Sequence, residues 1–391
     1  MNSRSNVVMA KSARGEHPLA RLLIDSIDDS VRGTRSALTY AGVDADALEA
    51  AVFVHKIAPA VYVHLRDAGD ASPALLEPMQ LRYQLQVARQ LQLMSDVPGL
   101  VAALTQTGVA WAAMKGPVLA ERLWSRPDLR TYIDLDILVD RRRFGDVLDA
   151  LLESGAQMVD QNWALIAHQT RAEVSLVLPN GTSLDLHWHV VNDRRLRSQF
   201  TFPIADMLAR TVDAKIGNTT LPTLDPADTL LHLAYHTAHS GGHRLMWLKD
   251  IERAAADPEL DWDETLLRAK AYGVRLPLAI VLARTARVIG FEVAPPDAAF
   301  APARRTAWGA FAAAANRWTP APTLPADKFS GQFAFKNARK STPRSIAAAL
   351  VAMKNRRAPG FDPTQNKLYI EAGGDAARAS YLAVVQGGLE P

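Results

Sequence analysis

A chain of 391 residues exceeds one average domain, so one mid-sized core with substantial additions, or two to three packed modules, is expected. With 48% hydrophobic, 22% charged and 7% aromatic residues it has the composition of an ordinary soluble globular protein, and the lack of cysteine excludes disulfides, thiolate zinc sites, iron-sulfur clusters and a cysteine nucleophile. The net charge of +3 is too mild to announce a nucleic-acid binder, no apolar run approaches the roughly 20 residues of a transmembrane helix, and the N-terminal MNSRSNVVMAKSARGEHPL lacks the apolar middle of a secretory signal, so a cytoplasmic protein without a membrane partner is expected.

After a polar start over residues 1–16, apolar positions recur at helical spacing as far as about residue 106. Leu81, Leu85, Ala88 and Leu91 mark an apolar helix face, and Pro59 and Pro98 are expected to kink or separate helices because each removes an amide donor. From Gly108 strands and helices alternate. VAWAAMKG, residues 109–116, reads as a short buried strand ending in glycine, with Pro117 suited to the first turn of a helix. TYIDLDILVD, residues 131–140, is the clearest strand: Ile133, Leu135, Ile137 and Val139 take one face, while Asp134, Asp136 and Asp140 share or approach the other. Phe144, Val147, Leu148, Leu151 and Leu152 form a helical stripe, which Gly155 caps. Residues 172–191 read as a hairpin around Asn180-Gly181, a pair that tolerates the positive φ of such turns. Beyond a connecting stretch, Asp225 as N-cap, Pro226 in the first turn and Asp228 open an apolar helix that stops at Gly241-Gly242, and further helices run to about Gly290.

Three carboxylates stand out. Asp134 and Asp136, two apart on a strand, project from one face about 6.6 Å apart, a spacing suited to gripping divalent cations. Asp185 lies on a later strand between Leu184 and Leu186, and the three converge if that strand pairs beside the first. Such a cluster serves phosphoryl or nucleotidyl transfer, where two metals roughly 3.5 to 4 Å apart activate the attacking oxygen and steady the leaving pyrophosphate. The Lys115-Gly116-Pro117 turn supplies the other half: glycine admits phosphates to the backbone, the helix start presents free amides, and Lys115 adds a point charge unless it is an ordinary surface cation.

MKGPVLAERLW, then RTYIDLDILV, then LDLHW resembles the strand-turn-helix, paired-acid and third-acid series of the polymerase-β-like nucleotidyltransferase superfamily. More narrowly, with the His-rich LLHLAYHTAHSGGHRLMWLKDI, it is similar to a bacterial branch of largely uncharacterised nucleotidyltransferases over roughly residues 45 to 290. The resemblance implies an α+β fold in which a small mixed sheet with helices is flanked by N- and C-terminal helical regions. The divisions expected are a flexible start over 1–16, a helical region over 17–106, the nucleotidyltransferase core over 107–215, a helical region with the His-rich helix over 216–300, and a basic Pro- and Ala-rich region over 301–391. It also implies transfer of a nucleoside monophosphate, AMP first, from an NTP to a small-molecule or peptide/protein acceptor, with Mg2+ or Mn2+. Asp134, Asp136 and Asp185 would be metal ligands and catalytic residues, with Lys115, Gly116 and Arg130 on the nucleotide side. Lys115-Gly116 departs from the Gly-Ser or Gly-Gly usual at this turn, and Arg130 either contacts phosphate or forms a structural pair.

His187 and His189 share a strand face with Asp185 and orient a metal-bound group, act as acceptor base, or serve structure alone. His232, His236 and His239 fall at i, i+4 and i+7; lacking the adjacent glutamate of zinc hydrolases, they are expected to line the nucleotide cleft or bond structurally. Trp188 and Trp111 are expected in the core. From Ala301 to Gly360 eleven Lys or Arg face a single acid, Asp327, so this segment carries +10 and the other 331 residues −7. The basic region can fold over the cleft, bind an anionic acceptor or polymer, or form a solvated tail. Two further readings stay open: a nucleotidyltransferase-like binding or regulatory module without turnover, and nucleic-acid binding through the basic region, although no nucleic-acid motif is present and such a partner is not expected.

Overall fold

A computed structural model of the chain describes residues 17–30, 32, 42–290, 299–317, 330–357 and 367–387. The polar start over 1–16 lies outside the described residues, as do 318–329 and 358–366 of the basic region. Contacts divide the chain into two units, one of residues 1–83, 233–256 and 276–338 and one of 84–232, 257–275 and 339–391. Among the described residues no helix is long and apolar enough to cross a membrane.

The first unit is helical. Pro18–Ile27, Ala45–His55 and Ala58–Ala68 bury Leu22, Leu23, Ile24, Leu48 and Leu65 completely. Asp44 caps the second of these by accepting the Ala47 N–H at 2.9 Å, and Pro59 sits in the first turn of the third, where a missing N–H forfeits no helical bond. Helix Leu245–Ala255 joins them through His55, whose Nδ1 accepts the Leu245 N–H at 3.3 Å.

The second unit is built on a seven-stranded mixed sheet of β1 (Trp111–Ala113), β2 (Asp134–Val139), β3 (Gln157–Met158), β4 (Glu173–Val177), β5 (Ser183–His187), β6 (Val212–Ile216) and β7 (Thr219–Thr223), in the order β3-β4-β5-β2-β1-β7-β6. β2 is parallel to β5 and antiparallel to β1, and β1 is parallel to β7; the remaining neighbours are antiparallel. Leu135, Ile137 and Val139 of β2, with Val174, Leu176, Leu184 and Leu186 of β4 and β5, join the helix Phe144–Glu153 in one buried cluster. That alternation is the period of two expected of strands. The hairpin around Asn180-Gly181 forms as expected, with Gly181 at φ +90°.

Several expectations are corrected. The strand begins only at Asp134, so Ile133 is 57% exposed instead of lining the core. Asp140 lies past the other end of the strand and caps the next turn through the Arg142 N–H at 2.9 Å. The stretch read as a connection contains β6 and β7; the outward Asp213 and Lys215 suit the edge strand β6, and with Pro222 of β7 they blur the strand signal.

Pro98 does not end its helix, which runs from Pro73 to Gln106; Leu93, Val97, Leu100 and Leu104 on both sides of the proline are buried against the sheet, and this packing holds the turns together. Leu81, Leu85 and Leu91 on the same helix are 58%, 53% and 66% exposed, so they do not form its buried face. From residue 84 onward the buried face opens instead with Gln86 and Gln90.

The C-terminal basic region is not a solvated tail throughout. Helices Ala307–Arg317 and Thr342–Arg357 form within it, and helix Gly374–Gln386 belongs to the core of the second unit. Tyr381 is 1% exposed, with its ring edge-on to Phe144 at 6.1 Å and tilted against Trp163 at 5.7 Å. Leu368 just upstream accepts the backbone N–H groups of Gln161 and Asn162 at 2.7 and 2.8 Å.

Candidate active site

The sheet register brings two of the three acids side by side. Asp136 of β2 is the direct partner of Asp185 on parallel β5, and Asp134, two residues earlier, pairs with Ser183. Successive side chains alternate across a strand, so Asp134 and Asp136 share the face opposite Leu135 and Ile137. His187 follows Asp185 on the same face, and β4 adds Glu173 and Ser175, the register partners of His187 and Asp185.

Lys115 reaches this face from the turn after β1. Its Nζ lies 2.6 Å from Asp136 Oδ1, and His187 Nε2 lies 3.1 Å from the same oxygen. The other imidazole nitrogen, Nδ1, stands 3.4 Å from Glu173 Oε2, and Glu173 is itself held by Arg171 at 2.8 Å and Asn192 at 2.5 Å. Ser175 Oγ donates to Asp185 Oδ1 at 2.6 Å, while the Ser175 N–H donates to Asp160 at 3.1 Å.

Charge and burial set the protonation of the group. Burial opposes ionisation of Asp136, but Lys115 and His187 outweigh it and hold the carboxyl well below the ordinary range. Burial, reinforced by the Asp136 charge, pushes Asp134 up to about 6. Burial works against protonated Lys115 and His187, yet Asp136 reverses the effect in both and raises their pKa values, with Glu173 adding to it at His187.

The turn itself is tightly built. Gly116 has φ +60°, and a Cβ there would lie 2.7 Å from the backbone oxygen of Asp134, so only glycine lets β2 pass this closely. Arg130, which is buried, donates from Nη1 to the Gly116 carbonyl at 3.0 Å and so clamps the turn. Lys115 is engaged with Asp136, and its side chain is 21% exposed, so it is not an ordinary surface cation.

The histidines separate. His187 joins the acids. His189 instead accepts the Val191 N–H at 2.9 Å through Nδ1, and burial, with Arg197, pushes it down to about 3. His232 belongs to the unit that carries the acids and is near enough for the charge of Asp136 to act on it; burial, with Lys115, pushes it down to about 3. His236, edge-on to Trp247 at 5.3 Å, and His239, stacked on Tyr235 at 5.7 Å, belong to the other unit. Trp188 and Trp111 are buried in the core cluster as expected.

Residues that strand periodicity does not reveal hold the acid strand in place. Gln86 donates to the Tyr132 carbonyl at 2.8 Å and Gln90 to the Arg130 carbonyl at 3.3 Å, just before Asp134. Asp96, farther along the same helix, accepts the Asn180 and Thr182 N–H groups at 3.0 and 3.3 Å and so fixes the start of β5. The signal of the two glutamines in the sequence is polar side chains at i and i+4 where apolar ones would otherwise be read.

One ligand atom each from Asp136, Asp185 and His187 lies within 4.8 Å of the others. Two carboxylates and an imidazole whose second nitrogen faces a carboxylate fit a divalent cation, because a ligating histidine is commonly oriented through its other nitrogen in this way.

A mixed α+β unit with paired acids on β2, a third acid on adjacent β5 and a glycine turn ahead of them has the organisation of a nucleotidyltransferase domain. A family model described as "Uncharacterised nucleotidyltransferase" matches residues 41–290, and the chain belongs to that family. No curated protein matches the chain.

Proposed function

We propose that this nucleotidyltransferase transfers a nucleoside monophosphate, AMP first among the candidates, from an NTP to a small-molecule or peptide/protein acceptor in a reaction that depends on Mg2+ or Mn2+. The observation that carries the reading is the register of Asp136 against Asp185, with Asp134 on the same strand face. Carboxylates gathered in this way have little use in a protein core unless cations offset them, and a triphosphate binds through cations.

In the reaction proposed, a nucleophilic atom of the acceptor bonds to the α-phosphorus, the bond from that phosphorus to the β-bridging oxygen breaks, and pyrophosphate leaves. Asp136, Asp185 and His187 would hold a divalent ion, which would supply positive charge to the phosphates. Glu173 orients His187, Ser175 orients Asp185, and Arg130 holds the Gly116 turn against β2. Asp134 completes the acid face beside Asp136.

Pyrophosphate release, measured with each NTP and either metal against a panel of small-molecule and peptide acceptors, tests the reading. Asp136→Asn is expected to abolish release while circular dichroism shows the fold retained. Undiminished release in that variant would rule the mechanism out.

A further inference from the structure

Three carboxylates on one sheet face invite two divalent ions, as in other phosphoryl-transfer sites. In this chain a cation of its own is already there. The Lys115 ammonium lies 2.6 Å from Asp136 Oδ1, and the charges of Asp134 and Asp185 act on it as well. It is delivered by the turn that Gly116 and Arg130 fix against Asp134, so its position follows from the fold and not from a mobile surface side chain.

Asp136 also faces β5. There Asp185 and His187 complete a set of donors within 4.8 Å of one another, and Glu173 orients the imidazole from behind. Charge balance agrees: the ammonium cancels one of the three carboxylate charges, and one divalent ion cancels the other two. A second ion bridging Asp134 and Asp136 would add two more positive charges beside an ammonium already held by that carboxylate, more than the three acids offset, and like charges so close repel strongly in a partly buried site.

We propose that Lys115 stands in for one of the two cations, so that the chain takes a single divalent ion, between Asp136, Asp185 and His187. Lys115 is then a permanent part of the charge that receives the triphosphate. This rests on the reading of the acid face as a metal-binding nucleotidyltransferase site, but its test needs no turnover.

The measurement is Mn2+ binding to the full chain without nucleotide, followed by loss of the free-ion paramagnetic resonance signal. The wild type is expected to bind one ion per chain, Lys115→Met to bind two, and Lys115→Arg, which keeps the charge, to bind one. Two ions or none in the wild type, or a count that stays at one in folded Lys115→Met, overturns the proposal. If Lys115→Met does not fold, Lys115→Gln takes its place and the wild-type count still decides. Pyrophosphate release is scored separately: one ion with no release from any NTP sinks the transfer reading alone, whereas release with two ions sinks this proposal alone.

Discussion

The indole N–H of Trp188 donates to the Tyr381 hydroxyl oxygen at 2.9 Å, and both side chains also donate to the Arg171 carbonyl, at 3.0 and 2.8 Å. Trp188 directly follows β5, the strand of Asp185 and His187, so the helix Gly374–Gln386 is tied to the acid-bearing part of the sheet. Tyr381→Ala removes a buried ring from between Phe144 and Trp163 and is expected to cost about 3–5 kcal/mol. Tyr381→Phe keeps the ring and is expected to cost about 1 kcal/mol. Urea denaturation of the two variants measures both; equal losses would mean that the hydroxyl, not the ring, holds the helix.

Gly116→Ala places a methyl group 2.7 Å from the Asp134 backbone oxygen at a residue with φ +60°. Because the obstacle is backbone and not a flexible side chain, the strain is expected to cost roughly 1–3 kcal/mol and to shift the acid strand. A lowered Tm together with weaker Mn2+ binding is the expected pair of results, and an unchanged Tm would show that the turn relaxes freely.

Gln86→Met keeps the side-chain volume but leaves the buried Tyr132 carbonyl without this donor two residues ahead of Asp134. The expected loss is about 1–3 kcal/mol. Gln86→Glu, which can still donate when protonated, is expected to recover part of that stability at acid pH. No difference between the two variants across pH would refute this account of the helix face.

His243 supplies a pH test in the helical unit. Burial, with Arg244 and Lys336, pushes it down to about 4. The unfolded chain binds this proton near the ordinary value of about 6.5, so in the window between 6.5 and 4 the unfolded state holds more protons and acid favours unfolding. The stability of the wild type relative to His243→Gln is therefore expected to fall as pH drops from 7 to 4. Denaturation curves at pH 7, 5.5 and 4 check it, and a constant difference between the two proteins would count against burial of a neutral imidazole.

Much of the second unit was legible from local pattern. The alternation through Leu135, Ile137 and Val139, the stripe from Phe144 to Leu151 and the Asn180-Gly181 turn all lie where periodicity and turn chemistry put them, because each depends on neighbours within a few residues. The readings that shifted depended on distant partners. Gln86 and Gln90 are buried because carbonyls 46 and 40 positions away receive their amides, and this leaves Leu85 and Leu91 facing outward. Pro98 stays helical because flanking leucines and valine pack on the sheet.

By itself the sequence determined that two aspartates share a strand face, that a glycine turn precedes them and that a third aspartate lies on a strand of its own. Local dihedral preferences and a side-chain period of two suffice for that. Only the tertiary structure decided that β5 runs parallel beside β2 in the register that sets Asp185 against Asp136, that Lys115 and His187 meet on one carboxylate oxygen, and that Tyr381 closes the core behind β5. Register and long-range packing are chosen by how whole faces fit and how buried charges are offset, and those energies exist only once the chain has brought the partners together.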